Sequence, residues 1–246
     1  MNQTNPTSKV IKDMTQWQLT WTAYLFGGVL VFFFGLRFFA SELSFLNLRD
    51  DSIMNRSFLD FTIQPGSIFM LVLGLMSVSG FLTFYVKQGI TRKAYFTGAA
   101  VSSLVIAMVV TAAGGVLHLI ISPLMTNAEW MPVMGYEGST VAVLPMFLLQ
   151  LYLFFLLGWI INGTFYRFGV LPGLVSIAGA VMLLIGVSFL ISPSVDMPLV
   201  ITERFDWLAV SSGMSLAVSL PILALVSAIL LAIMRLMTKR VRVKIK

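Results

Sequence analysis

Long apolar runs separated by short polar breaks set the pattern of this chain. They cover roughly residues 20–39, 66–86, 94–121, 141–161, 170–191 and 207–234. A bilayer core about 30 Å thick takes about 20 residues of helix, so each run predicts one transmembrane span. The third run is long enough to tilt or to project past the membrane. Residues 1–19 are mostly polar, with Lys9, Lys12 and Asp13, and Met14, Trp17, Leu19, Trp21 and Tyr24 add apolar and aromatic positions nearby. Trp and Tyr favour the headgroup level, so this segment predicts a short interfacial amphipathic helix feeding the first span. Pro172 falls in the first turn of the fifth run, where proline is tolerated, and Pro221 in the middle of the sixth, where a kink is expected. The fold class is an all-α integral membrane protein, a single transmembrane domain over 1–246.

Composition agrees with that pattern. Of 246 residues, 58% are hydrophobic and 11% charged, against about 25% charged in soluble domains. Six spans and their loops leave no room for a soluble nucleotide-binding domain. With no cysteine there is no disulfide, thiolate metal site or thiol nucleophile. A cleavable signal peptide has a shorter apolar core and a small-residue cleavage site, and none is read here.

Charge placement gives orientation. The segments after spans 1, 3 and 5 (40–65, 122–140 and 193–206) each carry a net −2. The N-terminal segment, the link after span 2, the link 162–169 and the tail 235–246 carry +1, +3, +1 and +6. Arg37, near the far end of span 1, is the remaining charge; it is placed to pair with Glu42 or to snorkel to the headgroups. Cytoplasmic loops accumulate Lys and Arg, so both termini are expected in the cytoplasm. The net charge of +6 is thereby accounted for by topology and anionic lipids, with no nucleic-acid partner.

Little chemistry is available at membrane depth. No acidic residue lies inside a span, which disfavours a proton-coupled pump or an intramembrane enzyme. The single histidine, His118, cannot build a metal cluster and reads as a hydrogen-bonded interfacial residue. No Walker-type loop and no serine–base pair is present. Gly74, Gly80, Gly173, Gly179 and Gly186 read as helix-packing positions, and Gly114-Gly115 permits close contact or a kink. Gln150 is placed to hydrogen-bond across helices, and Phe32-Phe33-Phe34 and Phe154-Phe155 to face lipid.

The most strongly basic short break holds the most specific pattern. It runs Gln88-Gly89-Ile90-Thr91-Arg92-Lys93-Ala94-Tyr95-Phe96, directly after Lys87. A link of about seven residues makes spans 2 and 3 antiparallel. Gly89 is suited to end one helix in a left-handed turn and Thr91 to cap the next. This segment is similar to the "G-[IVS]-[ST]-R-K-x-[FY]-F" segment between spans 2 and 3 of the bacterial ABC-2 type transporter permeases. The layout, an amphipathic N-terminus and six spans with cytoplasmic ends, resembles that family over most of the chain. The resemblance implies that Gln88, Gly89, Ile90, Thr91, Arg92, Lys93, Tyr95 and Phe96 form the element that docks on a separate ABC ATPase subunit. It further implies a short helical element within 193–206 and pairing with a second copy or a sister permease. ATP would be bound by the partner, with no cofactor and no catalytic site in this chain. An exporter of an amphipathic or hydrophobic compound, in the cell membrane, suits walls with few charges. A non-transporting polytopic protein, such as an immunity or sensor subunit, is the alternative.

Overall fold

The computed structural model describes residues 5–39, 57–124, 140–191 and 216–239. All regular structure among them is helical, with six helices long and apolar enough to cross a membrane. They are α1 (Pro6–Phe39), α2 (Phe58–Lys87), α3 (Arg92–Ile121), α4 (Thr140–Phe168), α5 (Val170–Ile191) and α6 (Leu216–Lys239). Six such helices are those of a multi-pass membrane protein.

Boundaries depart from the apolar runs in instructive ways. α1 is unbroken over 34 residues, so the expected interfacial segment and the first span are one helix. Nothing between Pro6 and Phe39 forces a stop: there is no further proline, and Gly27, Gly28 and Gly35 only weaken a helix that packing holds. α2 begins eight residues before the apolar run, at Phe58. Ser57 caps it, its hydroxyl accepting from the Asp60 amide at 3.1 Å, and Asp60 sits in the first turn beside the positive end of the helix dipole. Pro65, read as the end of a loop, is thus inside α2. α4 runs on to Phe168, and the expected link 162–169 shrinks to Gly169, with φ +92°. The Gly169 amide reaches back to the Phe165 carbonyl at 3.1 Å, a left-handed cap that only glycine fills without strain. α6 extends to Lys239, so the first five residues of the tail are helical, and Pro221 lies near the start of the described helix. Glu42 and the segment 193–206 fall outside the described residues.

α4 is the centre of the bundle. It packs against α2 most extensively and also touches α3, α5 and α6, while α1 leans mainly on α3. Apolar burial drives helices together weakly in lipid, so close approach of backbones matters more. Gly74 of α2 faces the Phe155 carbonyl of α4, and Gly158 of α4 faces the Leu71 carbonyl of α2. At each glycine an added Cβ would overlap that backbone oxygen. Gly114 and Gly115 likewise admit Leu59, Phe147 and Leu144, and Gly173 lies against the Phe165 ring. Gly80, Gly179 and Gly186 meet nothing within 4 Å, so those three are not packing positions in this bundle. Gln150 does cross helices, donating from Nε2 to Ser67 Oγ at 3.4 Å. Thr15, Gln18 and Ser102 form a second polar contact, between α1 and α3, with Ser102 Oγ donating to Gln18 Oε1 at 3.0 Å. Phe33 and Phe155 are fully buried, contrary to the expectation of lipid contact, whereas Phe32 and Phe34 are exposed. The Arg37 guanidinium lies 3.7 Å from the Phe33 ring centroid, and His118 is buried in the last turn of α3.

Candidate functional site: the basic elbow between α2 and α3

The elbow is shorter than the apolar pattern implies. α2 ends at Lys87 and α3 starts at Arg92, so only Gln88, Gly89, Ile90 and Thr91 link them. Gly89 has φ +82°. Its amide bonds the Val86 carbonyl at 3.0 Å, and the Ile90 amide bonds the Tyr85 carbonyl at 3.1 Å. This 5→2 and 6→1 pairing is the Schellman motif, and the buried Ile90 and Tyr85 side chains complete it. Thr91 then caps α3, its Oγ1 accepting from the Ala94 amide at 3.2 Å. Every residue of the link is thereby fixed by a hydrogen bond or a cap.

The predicted elbow residues divide into two sets. Lys87, Gln88, Gly89, Thr91 and Lys93 are exposed, and Arg92 is half-buried. Ile90, Ala94, Tyr95 and Phe96 are buried. A polar, basic rim therefore stands on an apolar root.

The root reaches three other parts of the molecule. Tyr95 is fully buried and donates its hydroxyl to the Ser77 carbonyl. Its ring also lies 5.9 Å from that of Tyr85. Ser77 opens a π-helical segment, Ser77–Leu82, inside α2. A π turn takes the chain off the regular i→i−4 ladder, and Tyr95 supplies the Ser77 carbonyl with a partner from α3. Asn162 of α4 binds the same segment from another side, donating to Ser79 Oγ at 3.0 Å. Phe96 stacks on Trp159 of α4, centroids 5.3 Å apart at 26°. The Arg235 guanidinium of α6 stands 5.0 Å from the Phe96 centroid, within cation–π range. Arg167, the one charge expected after span 4, donates to the Met237 carbonyl of α6 at 3.2 Å and so ties the ends of those two helices together.

The π segment, Trp159, Arg235 and Gly158 were not legible as site residues. A π turn has no firm sequence signature, although Ser77-Val78-Ser79-Gly80 is a cluster of small residues in an otherwise bulky run. Compared with known proteins, the chain matches no family model, no curated protein and no solved structure.

Proposed function

We propose that this chain is the membrane-spanning permease subunit of an ABC-2 type transporter, driven by a separate ABC ATPase subunit. The observation that carries the reading is the elbow's division into an exposed basic rim and a root anchored on α2, α4 and α6. A partner that binds the rim moves the root with it, because the Schellman turn and the Thr91 cap leave no slack. The partner biases the bundle only by binding its two arrangements with different affinity, and nucleotide state supplies that difference. The chain binds no ATP itself. It pairs with a second copy or a sister permease in the cell membrane, termini in the cytoplasm, and exports an amphipathic or hydrophobic compound.

Affinity purification of the tagged chain from its own host, followed by mass spectrometry and an ATPase assay, tests this. The expected result is an ABC ATPase in the complex whose hydrolysis rate responds to the exported compound. A chain that purifies without one, across mild detergents and cross-linking, overturns the proposal in favour of a non-transporting membrane protein.

A further inference from the structure

A groove of about 430 Å³ lies between the first turns of α1 and the π segment of α2. Its α1 wall carries Lys9, Asp13 and Trp17, one helical turn apart on one face. Its α2 wall carries Gln88, Phe84, Phe81 and Met76, again along one face. The helices run in opposite directions here, since α1 enters from a polar N-terminus and α2 ends at the basic elbow. The charges of the α1 wall therefore lie at the elbow end, beside Gln88, and the aromatic rings and Met76 lie farther from the elbow, with Gln16 the one polar side chain at that end. That gradient matches a lipid lying along the groove, headgroup beside Lys9, Asp13 and Gln88, acyl chain against Phe81, Phe84 and Met76.

The charges narrow the headgroup. One cation and one anion line the polar end, and among the described residues no ion pair joins Lys9 to Asp13. The exposed Lys9 and the half-buried Asp13, which lies near Tyr85 in the same lining, are opposite charges on one face that complement a zwitterion: Lys9 for the phosphate, Asp13 for the amine. A primary ammonium donates hydrogen bonds to a carboxylate, whereas a quaternary one has no N–H to donate. Gly80, in the π segment, lines the groove, and a Cβ added there meets no packed neighbour within 4 Å. We propose that this groove is a binding site for an amine-bearing zwitterionic phospholipid of the phosphatidylethanolamine class. The site stands independently of the transporter reading, since it needs only a membrane-embedded bundle.

Native mass spectrometry of the purified full chain, exchanged into detergent with equimolar phosphatidylethanolamine, phosphatidylcholine and phosphatidylglycerol, tests it. Wild type is expected to retain the ethanolamine lipid about threefold over either rival, the scale of an exposed charge contact. Asp13→Asn is expected to bring ethanolamine down to the choline level while keeping total lipid. A Cβ added at Gly80 meets nothing within 4 Å, so Gly80→Leu grows from an open position into the groove, and it is expected to remove the retained lipid whatever its headgroup. Elution as a single sharp species on gel filtration verifies that each variant is folded, and the isosteric Asp13→Asn, at a half-buried position, serves if Gly80→Leu is not. Preference for phosphatidylglycerol would mean a merely basic surface and overturn the proposal. Equal retention by wild type and both variants would mean annular lipid only, and would overturn it too. So would displacement of the lipid by a second copy of the chain on concentration.

Discussion

The Tyr95 hydroxyl, at the start of α3, donates to the Ser77 carbonyl at the start of the π segment in α2. The bond joins the first turn after the elbow to the irregular turns before it, so the elbow is closed at both ends. Tyr95→Phe removes only the donor and with it the bond from α3 to the Ser77 carbonyl. Such bonds inside membrane bundles are worth about 1 kcal/mol, which for a chain of this size is about 2–4 °C in Tm. Thermal unfolding in detergent is expected to show that drop. An unchanged Tm would mean the π segment is held by its α4 contacts alone.

Gly74 and Gly158 set the distance between α2 and α4. Alanine at either position must push a carbonyl oxygen away, and the whole helix crossing with it. The expected cost is about 3 kcal/mol or more, seen as loss of monodisperse protein on fluorescence-detected gel filtration. Gly179→Ala makes the contrast: nothing lies near it, and in mid-helix alanine is favoured over glycine by up to about 1 kcal/mol. Equal behaviour of the three variants would contradict the crossing described.

Much of this architecture is legible in the sequence, because a span is a long unambiguous signal. The turn chemistry of Gly89 and Thr91 is legible too, each residue type having a narrow backbone use. Helix ends are less so. The start of α2 depends on Ser57 and Asp60 lying in a polar stretch that reads as loop, and α4 passes through Asn162 and Gly163 because neighbouring helices hold it. Which phenylalanine of a run turns inward, as Phe33 does, depends on neighbours such as Phe58, 5.1 Å away ring to ring and distant in sequence. The elbow's rim is written locally, but its root is written in Ser77, Trp159 and Arg235.

Orientation is open to direct measurement because the chain has no native cysteine. Single cysteines at Ser52, Glu137 and Asp196 are expected to react with an impermeant thiol reagent on intact cells. Cysteines at Thr91 and Lys239, both exposed, are expected to react only after permeabilisation. Thr238 is a poor reporter, being buried with its hydroxyl on the Met234 carbonyl. Labelling of Thr91 from outside would reverse the orientation and remove the elbow from any cytoplasmic ATPase.

The elbow gives the most discriminating test of the transport reading. Gly89→Val places a β-branched residue at φ +82°, a backbone strain of about 1–3 kcal/mol. Arg92→Glu reverses a rim charge and leaves the backbone alone. Both are expected to insert normally, because the spans and the other basic segments are untouched, and both are expected to abolish substrate-responsive ATPase activity. Strain itself is controlled at the other left-handed glycine among the described residues. Gly169→Val meets the same kind of penalty, φ +92°, at a link between α4 and α5 that lies outside the elbow. It is expected to lower Tm about as much as Gly89→Val while leaving the ATPase response in place. Lys244→Glu, in the basic C-terminal segment, controls for charge reversal and is expected to change little. If Gly89→Val and Gly169→Val lose the response together, strain explains both. If the two elbow variants transport at the wild-type rate, the segment is only a positively charged turn.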